Sequence, residues 1–331
     1  MLLKYSFQKV LNIIERPIIV LLYHRVADIG FDPQLLSVSI NNFREQLLFI
    51  KNNYEIFRFE DDYVKRNQPA IIITFDDGYA DNYQNALPIL EELEIPATFF
   101  ITTGMIDSDR EFWWDDLERL ILIPLELPPK IELEIKGEQH IWDLSINNSN
   151  ITDKAWNVLS KYEPSFRCQF YKDLHILLKP LGYQERNDIL SELAEKTNQQ
   201  KLGRETHRSL SREELTLLNT SEYASIGAHT VTHPQLSGLN FKEQEKEITN
   251  SKETLEKWLN RPISVFSYPF GGEADYNSDS VAICQKLEFL KVVTTSPYNY
   301  YSWTDSMQIP RKIVRNWDKD SFKKQILFNQ N

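Results

Sequence analysis

Two short stretches, Thr74-Phe75-Asp76-Asp77-Gly78-Tyr79 and His229-Thr230-Val231-Thr232-His233, carry residue types that can do chemistry together. Adjacent carboxylates and two imidazoles four residues apart have separate jobs available. One aspartate can join the histidines around a divalent cation, and the other stays free to take a proton from a water beside that cation. Each half also has a plainer reading. Asp77-Gly78 after the apolar run Ile71-Ile72-Ile73 suits a hairpin turn, because Asp and Gly tolerate positive φ. A hairpin needs a second strand directly after the turn, whereas residues 81–93 read as helix, so the turn is expected to lead from strand to helix. A histidine pair at spacing four is a modest signal in a chain with six histidines, and it gains weight only beside the aspartate pair.

The elements that must position these residues alternate in type. Apolar runs at 17–23, 70–75, 96–101, 223–228, 263–267 and 290–295 read as strands. Helical periodicity occupies 41–51, with Phe43, Leu47, Leu48 and Ile50 on its apolar side, and 241–259, with Ile248, Leu255, Trp258 and Leu259 facing inward. Ser211-Arg212-Glu213-Glu214 has the form of a capping box that opens a short helix. Such alternation implies a parallel sheet, and this many units can close into a barrel. His24, Asp76, Asp77, His229 and Tyr268-Pro269 all follow strand ends, at the rim where parallel α/β barrels build active sites. Scattered structural polar groups would show no such agreement.

These motifs resemble those of the polysaccharide deacetylases, the NodB-homology or carbohydrate esterase family 4 enzymes, whose first motif is TFDDG and whose second is H-[ST]-x-x-H. A third family motif, in its aromatic-Pro-aromatic-Gly form, matches Phe266-Ser267-Tyr268-Pro269-Phe270-Gly271, and the likeness spans residues 16–105 and 207–315. The resemblance implies an α/β protein: a distorted (β/α) barrel with a large mixed α/β insertion. Residues 1–106 would form the first part of the barrel, 107–206 an insertion or lid, and 207–331 the second part. It also implies that Asp77, His229 and His233 hold one divalent metal ion and that Asp76 is the base. Zn2+ is expected first, and Ni2+, Co2+ or Fe2+ suit the same ligands. Tyr268, Pro269 and Phe270 are expected at the substrate, with the Phe270 N–H directed at the acetyl oxygen.

The chain departs from the family pattern twice. Amide cleavage needs an acid for the departing amine, and the usual Leu-x-His motif near the C-terminus is missing, since no histidine follows His233. His24, in Leu22-Tyr23-His24-Arg25-Val26, is the substitute on offer, as in relatives that look circularly permuted; otherwise it shapes a strand end. Ser267 stands where many relatives carry an arginine that steadies the catalytic aspartate. Arg311, in Ile309-Pro310-Arg311-Lys312-Ile313, is the candidate replacement at the substrate site, with a surface arginine as the alternative.

Composition bounds the rest. With 331 residues, 41% of them hydrophobic, the chain can bury a substantial core as one large α/β domain with an insertion, or as two domains. A net charge of −11 argues against a phosphate-backbone binder, so no nucleic acid partner is expected. Cys168 and Cys284 lack metal-type spacing and are expected to be inert thiols. No apolar run approaches the roughly 20 residues of a membrane span, and Lys4, Lys9, Glu15 and Arg16 interrupt any secretory signal. The expectation is cytoplasmic, and the apolar residues among 2–14 suggest a helix that packs on its own domain or sits peripherally at a membrane surface.

In the middle of the chain, Phe112-Trp113-Trp114 is expected to pin the insertion rather than line a sugar cleft. Residues 130–135 read as a strand with a hairpin partner at 141–142, and 166–178 and 186–194 as helices. His140, His175 and His207 lack ligand spacing and are expected to be ordinary surface or partly packed histidines.

The resulting expectation is a metal-dependent hydrolase that removes the N-acetyl group from an N-acetylated sugar of a polysaccharide or glycan precursor, lipid-linked or nucleotide-linked, and releases acetate. An O-acetyl esterase would use the same metal and base. A non-catalytic glycan-binding protein on the same barrel is the third option, and it has no use for a base beside a metal.

Overall fold

The structure is a computed structural model that describes residues 16–61, 69–145 and 155–328. The amino-terminal helix expected within 2–14 lies outside them. The chain divides into two compact units, the first comprising Met1–Asp28, Leu36–Gly104 and Leu210–Asn331, the second Ile29–Leu35 and Met105–Ser209. The first barrel span expected, 1–106, is therefore interrupted at Ile29–Leu35. Among the described residues, no helix is long and apolar enough to cross a membrane.

In the first unit, β1 (Ile18–Tyr23), β2 (Glu55–Ile56), β3 (Ala70–Phe75), β4 (Ala97–Ile101), β5 (Ala224–Ala228), β6 (Val265–Ser267), β7 (Lys291–Val293) and β8 (Lys312–Ile313) form one sheet. Its order is β7-β6-β5-β4-β3-β1-β8, with β2 beside β3, and every ladder is parallel. Residues of β1, β3, β4 and β5 are buried throughout, as expected of strands covered on both faces, which read as apolar runs rather than alternation. Val20, Ile72, Phe100, Val265 and Val293 meet in one core cluster with Ile18, Phe59, Tyr300 and Ile309. Single-residue bridges, Ile18 to Tyr300 and Val293 to Ile309, join the two ends of the strand order, so the sheet curls into an incomplete barrel.

Local chemistry accounts for the flanking helices. Helix Ile40–Asn53 opens on a Ser39 cap and buries Phe43, Gln46, Leu47, Phe49 and Ile50; Leu48, expected inside, is only half-buried. Helix Phe241–Leu259 opens on an Asn240–Glu243 capping box and buries Gln244, Ile248, Ser251 and Leu255. Trp258 and Leu259 stay half-buried instead of facing inward, and the Arg212 guanidinium lies 4.5 Å over the Trp258 ring. The expected Ser211–Glu214 capping box is formed.

The second unit has its own core. Strands Lys130–Ile135 and Glu138–Asp143 form an antiparallel hairpin that buries Ile131, Leu133 and Ile135. Helices Phe166–Leu178 and Tyr183–Lys196 pack with the short helix Trp113–Leu117. Trp113 and Trp114 are each 5% exposed: Phe112 stacks on Trp114 at 4.7 Å, and Trp113 lies 4.6 Å from His175. These rings are core.

Candidate metal and catalytic site

Parallel register brings the motif residues to one rim of the first unit. Tyr23 pairs with Phe75, so His24 and Asp76 leave neighbouring strands together, and the Asp76 N–H donates to the Tyr23 carbonyl at 3.1 Å. Two strands further on, Ile101 pairs with Ala228, and the His229 N–H donates to Ile101 at 3.1 Å. Asp77 (φ 73°), Thr230 (φ 63°), His233 (φ 53°) and Phe270 (φ 61°) occupy the left-handed region, and Gly78 follows at φ 85°. Each such non-glycine residue costs about 1–3 kcal/mol and persists only where neighbouring bonds over-determine it.

The histidine turn is over-determined in this sense. Thr103 and Gly104 donate backbone bonds to Thr230 and Val231 at 3.1 and 2.8 Å, and the Glu247 carboxylate accepts from the N–H groups of Val231 and Thr232 at 2.9 Å each. Any Cβ at Gly104 would meet the Val231 carbonyl at 2.5 Å, which is why glycine stands there.

Asp77 Oδ1 lies 3.5 Å from His229 Nε2 and 3.4 Å from His233 Nε2. The His229 Nδ1–H must donate to the Ser267 carbonyl at 2.7 Å, because a carbonyl only accepts. In the neutral ring Nε2 then faces Asp77 as a lone pair, the orientation typical of metal-binding histidines whose other nitrogen donates to a carbonyl. Buried Asp77 Oδ1 accepts no hydrogen bond among the described residues. A carboxylate oxygen that faces the His229 lone pair needs a cation between them. Nitrogen and oxygen donors about 2.0–2.2 Å from a tetrahedral ion lie roughly 3.3–3.5 Å apart, so these residues fit a divalent metal. Protein charge alone has a related effect: burial lowers the His229 pKa, but Asp76 and Asp77 together raise it above its ordinary value.

Asp76 has a different environment. Arg311 Nη1 and Nη2 donate to its two oxygens at 2.7 and 2.6 Å, and the Ser267 hydroxyl donates to Oδ2 at 3.0 Å. Arg311 itself is fully buried, with Nε on the Thr294 carbonyl at 3.0 Å. Burial would raise the Asp76 carboxyl, but the Arg311 guanidinium and then His229 hold it well below the usual carboxylate range. Ser267, read as a departure from the family arginine, adds a donor to the same oxygen.

His24 is half-buried beside this cluster. Burial lowers its pKa, both aspartates pull it back up, and Arg315 and Arg311 push it down. Its Nδ1 is buried with no hydrogen-bond partner among the described residues. Of the residues expected at the substrate, Phe270 is half-exposed, with its ring 4.6 Å from that of His233. Tyr268 and Arg311 are fully buried and present no surface, so they position others; Pro269 is buried too.

A second group with metal-type donors was not read from the sequence. Asp115, Glu118 and His207, all buried in the second unit, bring one donor atom each within 4.8 Å of one another. His207, expected to be a surface or partly packed histidine, is 5% exposed. Arg204 donates to Glu118 at 2.6 Å and to both oxygens of Glu111 at 2.8 Å, so a guanidinium already supplies positive charge there.

Comparison with known proteins bears on the family and the fold. The family described as polysaccharide deacetylase matches residues 63–126 and 189–292, just over half of the chain. The Bacillus subtilis protein YxkH is 27% identical over 233 residues, 70% of this chain and 47% of that protein. A poly-beta-1,6-N-acetyl-D-glucosamine N-deacetylase of Staphylococcus aureus is 25% identical over 179 residues, 49% of this chain and 58% of that one. This chain thus spans about half the length of the curated relatives it matches. The solved structure of IcaB from Ammonifex degensii superposes with a TM-score of 0.59 at 16% identity, covering 96% of this chain and 98% of that one. The Streptococcus pyogenes deacetylase PplD gives 0.57 at 17%, covering 96% and 99%. These likenesses show the fold.

Proposed function

Because this chain belongs to the polysaccharide deacetylase family, we propose that it removes the N-acetyl group from an N-acetylated sugar of a polysaccharide or glycan precursor, using a divalent ion held by Asp77, His229 and His233. The carrying observation is Asp77 Oδ1 facing His233 Nε2 at 3.4 Å and His229 Nε2 at 3.5 Å, next to a second carboxylate held by Arg311. Zinc is the first choice for these ligands. Such an ion acidifies an attacking water and stabilises negative charge on the acetyl oxygen.

The chain's own residues do the rest. Asp76, kept ionised by Arg311, accepts the proton of the attacking water, and Arg311 with Ser267 fixes the direction of its oxygens. The departing nitrogen needs a proton back, and His24 is the nearby titratable group with an unbonded ring nitrogen. Phe270, strained at φ 61° over His233, is suited to donate its N–H to the developing oxyanion. The name of the Staphylococcus aureus relative supports an amino-sugar polymer as the substrate class.

One observation favours a second reading, O-acetyl ester hydrolysis: burial holds the His24 pKa down, and an alkoxide leaves with less help from an acid than an amine does. The test is acetate release from N-acetylhexosamine oligomers and from their O-acetylated counterparts, with and without chelator. Metal-dependent release from the amides supports the proposal. Release from the esters alone assigns the second reading, and release from neither removes both.

A further inference from the structure

The loop that carries Phe270 toward His233 has another face. Segments 273–285 and 296–310 of the first unit bound an open groove of about 1270 Å3. Thr295 ties it to that loop, donating its N–H to the Gly271 carbonyl at 2.9 Å and its hydroxyl to the Phe270 carbonyl at 2.8 Å. Tyr276, Tyr298, Tyr301 and Trp303 all line the groove. Tyr276 stacks on buried Tyr268 at 4.2 Å and 3°, Tyr301 stacks on Trp303 at 4.8 Å and 8°, and Tyr298 is 67% exposed. Flat, ordered rings of this kind offer faces to the C–H surfaces of a pyranose and to a cation.

The charge of the lining narrows the ligand. Among the described residues that line it, Glu273 and Asp305 are the ionised side chains, both exposed, and none is Lys, Arg or His. Both act on one ring, since the Tyr276 phenol pKa is raised first by burial and then by these two carboxylates. Asp305 is held by Met307 N–H and Gln308 Nε2 at 2.9 Å each, and Gln308 accepts from the Tyr276 hydroxyl at 3.0 Å. Two carboxylates without a counter-charge repel an acidic glycan and attract a cationic one. Neutral N-acetylated sugars gain nothing from them, whereas a sugar that has lost its acetyl group carries an ammonium.

We propose that this groove binds amino-sugar units bearing free ammonium groups, so that the protein holds a partly deacetylated chain while the neighbouring acetylated unit lies at the Asp77–His229–His233 cluster. The inference rests on the N-deacetylase reading for its biological sense, but the binding can be measured without it. A fully deacetylated tetramer of a β-linked hexosamine and its fully N-acetylated counterpart are titrated calorimetrically at low and high salt. The cationic tetramer is expected to bind about five- to tenfold tighter at low salt, consistent with exposed ion pairs. That advantage should disappear in E273Q/D305N and in high salt. Y301A/W303A should weaken both tetramers while leaving acetate release from a single-sugar substrate unchanged. Equal affinity for the two tetramers, or a preference that survives in E273Q/D305N, would overturn the proposal. A protein that releases acetate but shows no preference sinks the groove alone; one that shows the preference but releases none sinks the deacetylase reading alone.

Discussion

Asp77–His229–His233 in the first unit and Asp115–Glu118–His207 in the second are alike by proximity, since each gathers three buried donor residues with ligand atoms within 4.8 Å. They differ in where the guanidinium sits. In the first unit Arg311 pairs with Asp76, and the neighbouring Asp77 Oδ1 accepts no hydrogen bond among the described residues. In the second, Arg204 bonds directly to Glu118, one of the would-be ligands. The first group also sits on left-handed backbone at Asp77 and His233, strain that packing alone does not require. Proximity of donors is therefore a weak criterion; what marks a metal site is lone pairs that the protein orients and leaves uncompensated.

The sharpest way to break this comparison is to remove each guanidinium. Both Arg311→Met and Arg204→Met strand buried carboxylates and should cost about 3–5 kcal/mol in urea unfolding. Only Arg311→Met should also lower acetate release, by roughly 100-fold or more, because it disorients the base. Equal loss of activity in both would erase the distinction. Comparable in size, His24→Ala should slow amide cleavage about 10²–10⁴-fold while an activated acetate ester loses less than about tenfold; a uniform loss would make His24 a structural residue.

Smaller effects follow from pH. If His24 is the acid it must be protonated, so kcat/KM should fall as pH rises through its pKa. Since burial lowers that pKa, the falling limb should lie below 6.5 and vanish in His24→Asn. The two regions should also respond oppositely in stability. Asp76 has a depressed pKa, so its contribution is present above the ordinary carboxylate value and lost as pH falls below it. Glu118 and Asp116 are raised by burial despite Arg204 and Arg119, so their ionisation opposes folding and is relieved as pH falls toward their folded values. Hydrogen exchange in 112–122, corrected for intrinsic rate, should therefore slow modestly as pH falls from neutral toward the ordinary carboxylate range. Protection around Asp76 should stay unchanged in that window; a parallel change in both regions would contradict the assignment.

How much of this was legible beforehand depends on the range of the interactions. Strand runs such as Ile71-Ile72-Ile73, the Ser211 capping box and helix Phe241–Leu259 are local patterns, and they stand where periodicity predicts them. Errors at single positions are also local: Leu48 and Trp258 are apolar by type but lie off the buried stripe, while Gln46 is buried because it bonds Tyr23 and the Trp317 carbonyl. The rim residues could be grouped because parallel strands align their ends. His207 could not be joined to Asp115 and Glu118, since no local spacing marks a contact across that much chain. Nothing in Asn82–Ala86 signals its π-helical winding, nor does Ile29–Leu35 signal membership of the second unit. Arg311 could be named only as a candidate; its pairing with Asp76 depends on the closing segment between β7 and β8.

Metal content of the purified protein tests the central claim most directly. Wild type and Asp76→Ala should each hold about one divalent ion per chain, Asp77→Ala none, and Asp115→Ala the same as wild type. Metal retained in Asp77→Ala but lost in Asp76→Ala would mean that the roles of the two carboxylates are exchanged, and metal lost in Asp115→Ala alone would move the site to the second unit.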